Sequence, residues 1–250
     1  MESWQLRPAA DAAGAKWIAT RVRPSAHGTV AGLIPPDFAA YARVLHPAWS
    51  AAGEPVSWRT VAGWAGTTLH PLAQFRALSR PGPGFGLGPP PWDDEPQTGS
   101  LPARVWRELQ PVLAASTSTP GAYWFGLWDG WTYAGGQQVA YRSEGKTIPV
   151  PHQARLQLPY REYALFSGPL SAYHDIGYLL PSGQFKPCFP SLVWPDNHEW
   201  MLAADVDLDS TYVGGPEELV AALAEAECIE FLIARSSDPV TATSDRVNIK

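Results

Sequence analysis

An acidic segment near the C-terminal end of the chain contains the residues whose types and spacing are best suited to chemistry. It has the sequence WMLAADVDLD at 200–209, and its alternation predicts a strand over 200–208 with Asp205, Asp207 and Asp209 on one face. Neighbouring carboxylates on one face of a strand lie ~7 Å apart. Two of them could therefore share a Mg²⁺ or Ca²⁺ ion, because both ions prefer oxygen ligands. Three further side chains could complete such a site: His198, Thr211 and Tyr212.

This metal site has a simpler alternative, in which the strand is half-buried and its acidic face is solvated. Charges on such a face discourage edge-to-edge aggregation, and carboxylate clusters also occur in purely structural networks. We favour this alternative, and the carboxylates of this face are no more than candidate metal ligands. A divalent cation is the one cofactor that the residues suggest.

The histidines are the candidate general acids and bases. None of the six forms a pair at i,i+4 spacing, and no H-E-x-x-H motif is present. His198 or His70 would serve a metal-dependent hydrolase as acid or base. His46 and His70 each precede a proline, and a structural imidazole that caps a backbone carbonyl is the favoured alternative for both. No G-x-S-x-G elbow accompanies them, and Cys188 has no cysteine-protease context.

The segment WFGLWDGW at 124–131 concentrates three tryptophans around an Asp-Gly pair. Asp-Gly between apolar runs predicts a two-residue hairpin, in which Trp128 lies opposite Trp131, with Trp124 and Tyr133 on the same side of the ribbon. The other side is also apolar. The hairpin is therefore either packed between two layers, which we favour, or an exposed aromatic platform.

A binding surface would combine this hairpin with two other tryptophan-bearing segments. One is the Pro- and Gly-rich loop at 80–100, and the other spans 194–200. Tryptophan is enriched at interface hot spots, and acidic residues around the groove would favour a basic partner. The predicted contact residues are Trp92, Trp124, Trp128, Trp131, Tyr133, Trp194 and Tyr212.

The elements that would position these residues predict an α+β fold. Helices are predicted over 57–66, over 101–116 and from Pro216. Strands are predicted at 123–128, 131–134, 137–142, 154–158, 161–167, 176–180, 200–208 and 229–233, and 38–46 is a strand or a short helix. The short gaps favour a mostly antiparallel sheet, a meander of hairpins, with two to three helices packed on one face. Residues 1–30 are predicted to be a partly ordered lead-in, and 31–250 a single domain.

Composition and charge exclude several function classes. The formal net charge is −6 and the arginines are scattered, so we expect neither a nucleic-acid partner nor a membrane surface. No apolar run approaches the ~20 residues that span a bilayer. Two cysteines, Cys188 and Cys228, with no signal peptide at the N-terminus, predict a cytoplasmic protein with free thiols.

Several long segments resemble a family of uncharacterised proteins found mainly in actinobacteria. They include FAAYARVLHPA at 38–48, STPGAYWFGLWDGW at 118–131 and LVWPDNHEWMLAADVDLDSTYVGG at 192–215. The resemblance singles out Asp205 and Asp207 together with Tyr212, Gly214 and Gly215, and it implies no established activity. The order of helices followed by an antiparallel meander is also similar, at the level of fold alone, to the SMI1/KNR4-type immunity and scaffold superfamily.

These observations favour a non-enzymatic binding or interaction module, of an immunity-protein or adaptor type, that takes a protein or a small molecule on a tryptophan-rich surface. One alternative is a metal-dependent hydrolase that uses Asp205 and Asp207. Another is a structural subunit that buries an apolar sheet face against its own copy in a homo-oligomer.

Overall fold

The computed structural model describes residues 5–130, 136–150, 154–226 and 229–249. Its α-helices are α1 (Lys16–Ala19), α2 (Trp58–Ala65), α3 (Phe75–Leu78), α4 (Ala103–Ala115) and α5 (Glu217–Leu223). Short 3₁₀ segments lie at Ala13–Ala15, Pro24–Ala26, Val30–Gly32 and Leu170–Asp175. None of these described helices is both long and apolar enough to cross a membrane.

The strands of the described residues are all short. They are β1 (Arg7–Pro8), β2 (Ala40–Leu45), β3 (Ala48–Trp49), β4 (Pro55–Val56), β5 (Tyr123–Trp128), β6 (Gln138–Ser143), β7 (Lys146–Pro149), β8 (Arg155–Leu158), β9 (Arg161–Gly168), β10 (Ile176–Leu179), β11 (Phe185–Pro187), β12 (Leu192–Pro195), β13 (Met201–Ala203), β14 (Ser210–Gly215) and β15 (Phe231–Ala234).

These strands form a large antiparallel sheet and two small ones. The main sheet has nine strands in the order β1-β9-β5-β12-β13-β14-β2-β15, and β8 pairs with β9 beside this path. A second sheet has the order β11-β10-β6-β7, and β3 pairs with β4 alone. The prediction of an α+β fold with a mostly antiparallel sheet is confirmed. The helices are more numerous than the predicted two to three, and they are not confined to one face.

The helix termini follow from local sequence signals. The Ser57 side chain accepts a hydrogen bond from the Thr60 N–H at the start of α2, and Gly66 ends this helix with φ of 63°, a left-handed conformation that glycine adopts without strain. The predicted apolar face of α4 is buried. Pro111 is exposed and α4 continues past it to Ala115.

The main sheet is buried on both faces. Along β5, Tyr123, Phe125 and Leu127 enter a first core under α4 and α5, whereas Trp124 and Trp128 pack against a second core on the opposite face. This split follows from the period-two alternation of a strand. A third core lies under α2 and α3.

The N-terminal segment forms the layer over the second core. Strand β1 pairs with β9, and Ala15, Ile18 and Val22 are buried in this core. Residues 5–30, which the sequence suggested as a partly ordered lead-in, are therefore a packed part of the fold. Their apolar side chains cover the tryptophan-bearing side of β5, so the packed alternative for that side is the one the chain adopts.

The two-residue hairpin predicted at Asp129-Gly130 would pair β5 with the segment 131–134, which lies outside the described residues. Strand β5 is paired with β12 on one edge, where Trp124 faces Trp194, and with β9 on the other, where Trp124 faces Ser167. Over residues 123–126, both hydrogen-bonding edges of β5 are therefore used by strands other than the predicted one. Trp131 and Tyr133 lie outside the described residues.

The predicted strand over 200–208 is also shorter than expected. Strand β13 ends at Ala203, and the chain then turns before β14 begins at Ser210. The Asp205 side chain accepts a hydrogen bond from the Asp207 N–H at 3.0 Å, and the Leu208 N–H donates to the Asp205 carbonyl at 3.1 Å. Such side-chain bonds favour a turn over a continued strand.

Candidate functional site

A pocket of about 210 Å³ opens where four parts of the chain meet on the second-core side of the main sheet. The N-terminal segment contributes Val22, Arg23 and His27, and the turn between β8 and β9 contributes Tyr160. The other walls come from the start of β9, from the β13–β14 turn and from residues 240 and 241 near the C-terminus. We call this cavity the Arg161 pocket, after the charged residue at its centre.

Arg161 binds both of the aspartates that the sequence singled out. Its Nη2 donates to Asp205 Oδ1 at 3.2 Å and to Asp207 Oδ2 at 2.5 Å, and its Nε lies 3.4 Å from Asp205 Oδ2. Burial acts to lower the pKa of Arg161, but the hydrogen bonds and charges of the two carboxylates outweigh it and raise the pKa. The guanidinium also lies 5.4 Å from the ring centroid of Trp128.

The predicted metal ligands therefore converge, but on an arginine. A guanidinium supplies a fixed positive charge and planar donors that match carboxylates, so Arg161 takes the position that a shared cation would need. The Asp205 side chain is 10% exposed and that of Asp207 is 75% exposed. Among the described residues, no group of three or more His, Cys, Asp or Glu side chains is arranged to hold a metal ion.

Asp209 and the other predicted members of the metal site are directed elsewhere. Asp209 lies 3.5 Å from the buried Arg43, and burial raises the pKa of its carboxyl. The Thr211 hydroxyl lies 2.9 Å from His46 Nε2. Tyr212 is buried in the second core. A continuous strand would have kept Asp205, Asp207 and Asp209 on one face. The β13–β14 turn instead separates Asp209, Thr211 and Tyr212 from Asp205 and Asp207.

Tyr163 follows Arg161 by two residues on β9, so both side chains leave the same face of the strand. It is 5% exposed and lines the Arg161 pocket. No other described residue exchanges a hydrogen bond with its hydroxyl. Burial and the nearby charge of Asp205 raise its pKa, and Arg161 lowers it only partly. The phenol is thus a protonated donor at neutral pH, and it is available to a molecule in the pocket.

Neither of the candidate catalytic histidines lines this pocket. His70 Nε2 lies 3.0 Å from Asp245 Oδ1, and its Nδ1 accepts a hydrogen bond from the Leu72 N–H at 3.3 Å. Both ring nitrogens of His70 are therefore engaged, Nε2 with the C-terminal segment and Nδ1 with its own loop. His198 stacks on Trp17, with 4.5 Å between ring centroids. Burial lowers the pKa of His198, and the charge of Asp196 partly offsets this lowering.

The predicted aromatic contact residues are divided among separate cores. Trp124 is half-buried, donates from Nε1 to Asp196 at 2.9 Å and lies parallel to Trp194 with 6.3 Å between ring centroids. Trp194 and Tyr212 are buried in the second core. Trp92 belongs to the third core, where it packs edge-on against Trp64 and Phe75. The described tryptophans therefore do not assemble into the groove that the sequence suggested.

Sequence reasoning missed the residues that define the pocket. Arg161 and Tyr163 lie at i,i+2 in a correctly predicted strand, so their common face was accessible to pattern analysis. Their meeting with Asp205 spans 44 positions along the chain, and no local pattern encodes that contact. The ring of His27 packs at a tilt of 45° against that of Tyr160, with 4.1 Å between ring centroids, and His27 comes from the segment expected to be only partly ordered.

Comparison with protein-family models, with curated proteins and with solved structures finds no match to this chain.

Proposed function

We propose that this chain is a non-enzymatic binding module that holds a small ligand in the Arg161 pocket. The observation that carries the proposal is Tyr163, a residue that is only 5% exposed and lines the pocket, and whose hydroxyl makes no hydrogen bond to another described residue. A fold tolerates such a group where a bound molecule or an ordered water accepts its hydrogen bond. The expected tryptophan-rich surface is replaced in this proposal by a pocket beside Trp128.

The site favours binding over catalysis because the positive charge of Arg161 is already paired with both carboxylates. Arg161 is held by two carboxylates and an indole ring, so its side chain is fixed in place as part of the pocket lining. The hydrolase hypothesis needs a cation between Asp205 and Asp207 and a histidine beside them, and the position of Arg161 and the remote location of His70 weigh against it.

Blocking the mouth of the pocket tests the proposal. Thr241 is exposed and lines the pocket, so Thr241→Trp should fill the entrance without disturbing the core. Thr243 is exposed, two residues away and outside the pocket, so Thr243→Trp is the matched control. The proteins would be screened by ligand-observed NMR against a library of soluble fragments.

We expect fragments that bind the wild-type protein and the Thr243→Trp variant and lose binding in Thr241→Trp. Thermal unfolding would establish that both variants are folded. A screen without any binding fragment, or hits that bind all three proteins equally, would refute the proposal that this pocket is the functional site.

A further inference from the structure

We infer that the Arg161 pocket takes a small uncharged molecule whose carbonyl oxygen accepts a hydrogen bond from Tyr163. The inference rests on the proposed function and adds the chemical class of the ligand. It follows from three properties of the pocket, which are its unused donors, its charge balance and its size.

Two residues of the pocket have donors that no other described residue uses. The Tyr163 hydroxyl stays protonated at neutral pH and has no partner among the described residues. Arg161 uses Nε and Nη2 on the two aspartates, and its Nη1 makes no hydrogen bond to a described residue. A ligand that satisfies these groups must present an acceptor, and a carbonyl oxygen with two lone pairs can accept from both.

The charge balance disfavours an ionised ligand. Asp205 and Asp207 contribute two negative charges and Arg161 contributes one positive charge, so the cluster carries a net charge of −1. A carboxylate next to the nearly buried Asp205 would be repelled in a region of low dielectric. An ammonium would be attracted to Asp207, but it would leave the donors of Tyr163 and Arg161 unsatisfied. Arg23, at the pocket wall, is exposed and its charge is screened by solvent.

The size of the pocket and the residues that line it restrict the rest of the ligand. Pockets for drug-sized ligands measure roughly 300–1,000 Å³, and the Arg161 pocket measures about 210 Å³. Its buried apolar walls are Val22, Leu158 and Val240. Tyr160, whose ring contacts His27, is 57% exposed at the mouth. These dimensions suit a single ring or a short aliphatic body with one polar head.

Three probes of the same shape separate the charge classes. Benzamide, benzoate and benzylamine would be titrated against the wild-type protein by isothermal calorimetry and by chemical-shift perturbation. The variants are Tyr163→Phe, Thr241→Trp and Tyr141→Phe. Tyr141 packs partly buried against the first core, so its variant removes a phenol hydroxyl on the opposite side of the sheet.

We expect benzamide to bind at least tenfold more tightly than either charged probe. The loss of one hydrogen bond should weaken it about tenfold in Tyr163→Phe, whereas Tyr141→Phe should leave its affinity unchanged. Thr241→Trp should abolish binding.

The outcomes separate the inference from the proposed function. Tighter binding of benzoate or benzylamine, blocked by Thr241→Trp, would overturn the uncharged class and leave the pocket as a binding site. Equal affinity of benzamide for the wild-type protein and Tyr163→Phe would overturn the role of the hydroxyl. If none of the probes binds, the inference fails, and the fragment screen then decides whether the proposed function fails with it.

Discussion

His46 should make the stability of this fold depend strongly on pH. The side chain is fully buried at the end of β2. Its Nδ1 lies 2.6 Å from the Gln97 carbonyl oxygen, which can only accept, so Nδ1 carries the proton. Nε2 then accepts from the Thr211 hydroxyl at 2.9 Å. Burial and, to a smaller extent, the charge of Arg43 outweigh the opposing effect of the Gln97 carbonyl, and together they lower the pKa of His46 from 6.5 to about 4.

The size of the effect follows from this difference in pKa. A shift from 6.5 to about 4 corresponds to roughly 3 kcal/mol of differential stability. Because the folded protein holds His46 neutral, the unfolded chain takes up the proton first as the pH falls. The contribution is therefore fully present above about pH 6.5 and is lost progressively as the pH falls to about 4.

Urea unfolding monitored by tryptophan fluorescence would measure this dependence between about pH 7.5 and pH 4. Over this range, the free energy of unfolding of the wild-type protein should fall by about 3 kcal/mol more than that of His46→Gln, because glutamine does not titrate. His174→Gln is the control, since the His174 side chain is 62% exposed. If the wild-type protein and His46→Gln lose stability in parallel, the buried neutral imidazole is not the cause and the reasoning fails.

Three further variants test other buried groups. Hydrogen bonds from Asn248, His70 and the Gln74 N–H outweigh the opposing effect of burial and lower the pKa of Asp245 to about 2. Asp245→Asn should therefore lose about 2 kcal/mol at neutral pH, and the difference from wild type should shrink as the pH falls from about 4 to 2; a constant difference in urea unfolding would contradict this. Tyr41→Phe removes a hydroxyl that bonds two backbone groups and should cost about 1–2 kcal/mol. Tyr163→Phe should leave the free energy of unfolding of the ligand-free protein unchanged. A loss as large as that of Tyr41→Phe would show that the Tyr163 hydroxyl has a partner in the fold.

Local signals in the sequence were sufficient for most of the individual elements. Ser57 and Gly66 delimit α2 because a cap and a left-handed glycine act within one turn of a helix. The alternation of apolar residues predicted β5 over 123–128 and β9 within one residue of its end, since side-chain direction in a strand depends only on position. The predicted contacts among distant residues were less accurate: of the predicted aromatic contact residues, those that the structure describes lie in separate cores.

The sequence by itself therefore determined the α+β class, the mostly antiparallel sheet and the boundaries of helices such as α2, because these depend on propensity and periodicity over a few residues. The position of β5 between β12 and β9 is a property of the folded chain, and so is the packing of the N-terminal segment over the tryptophans of β5. The same holds for the contact of Arg161 with Asp205 and Asp207 beside Tyr163. Those contacts join residues far apart in the chain. Their free energy depends on burial and pairing across the whole fold, which no short segment encodes.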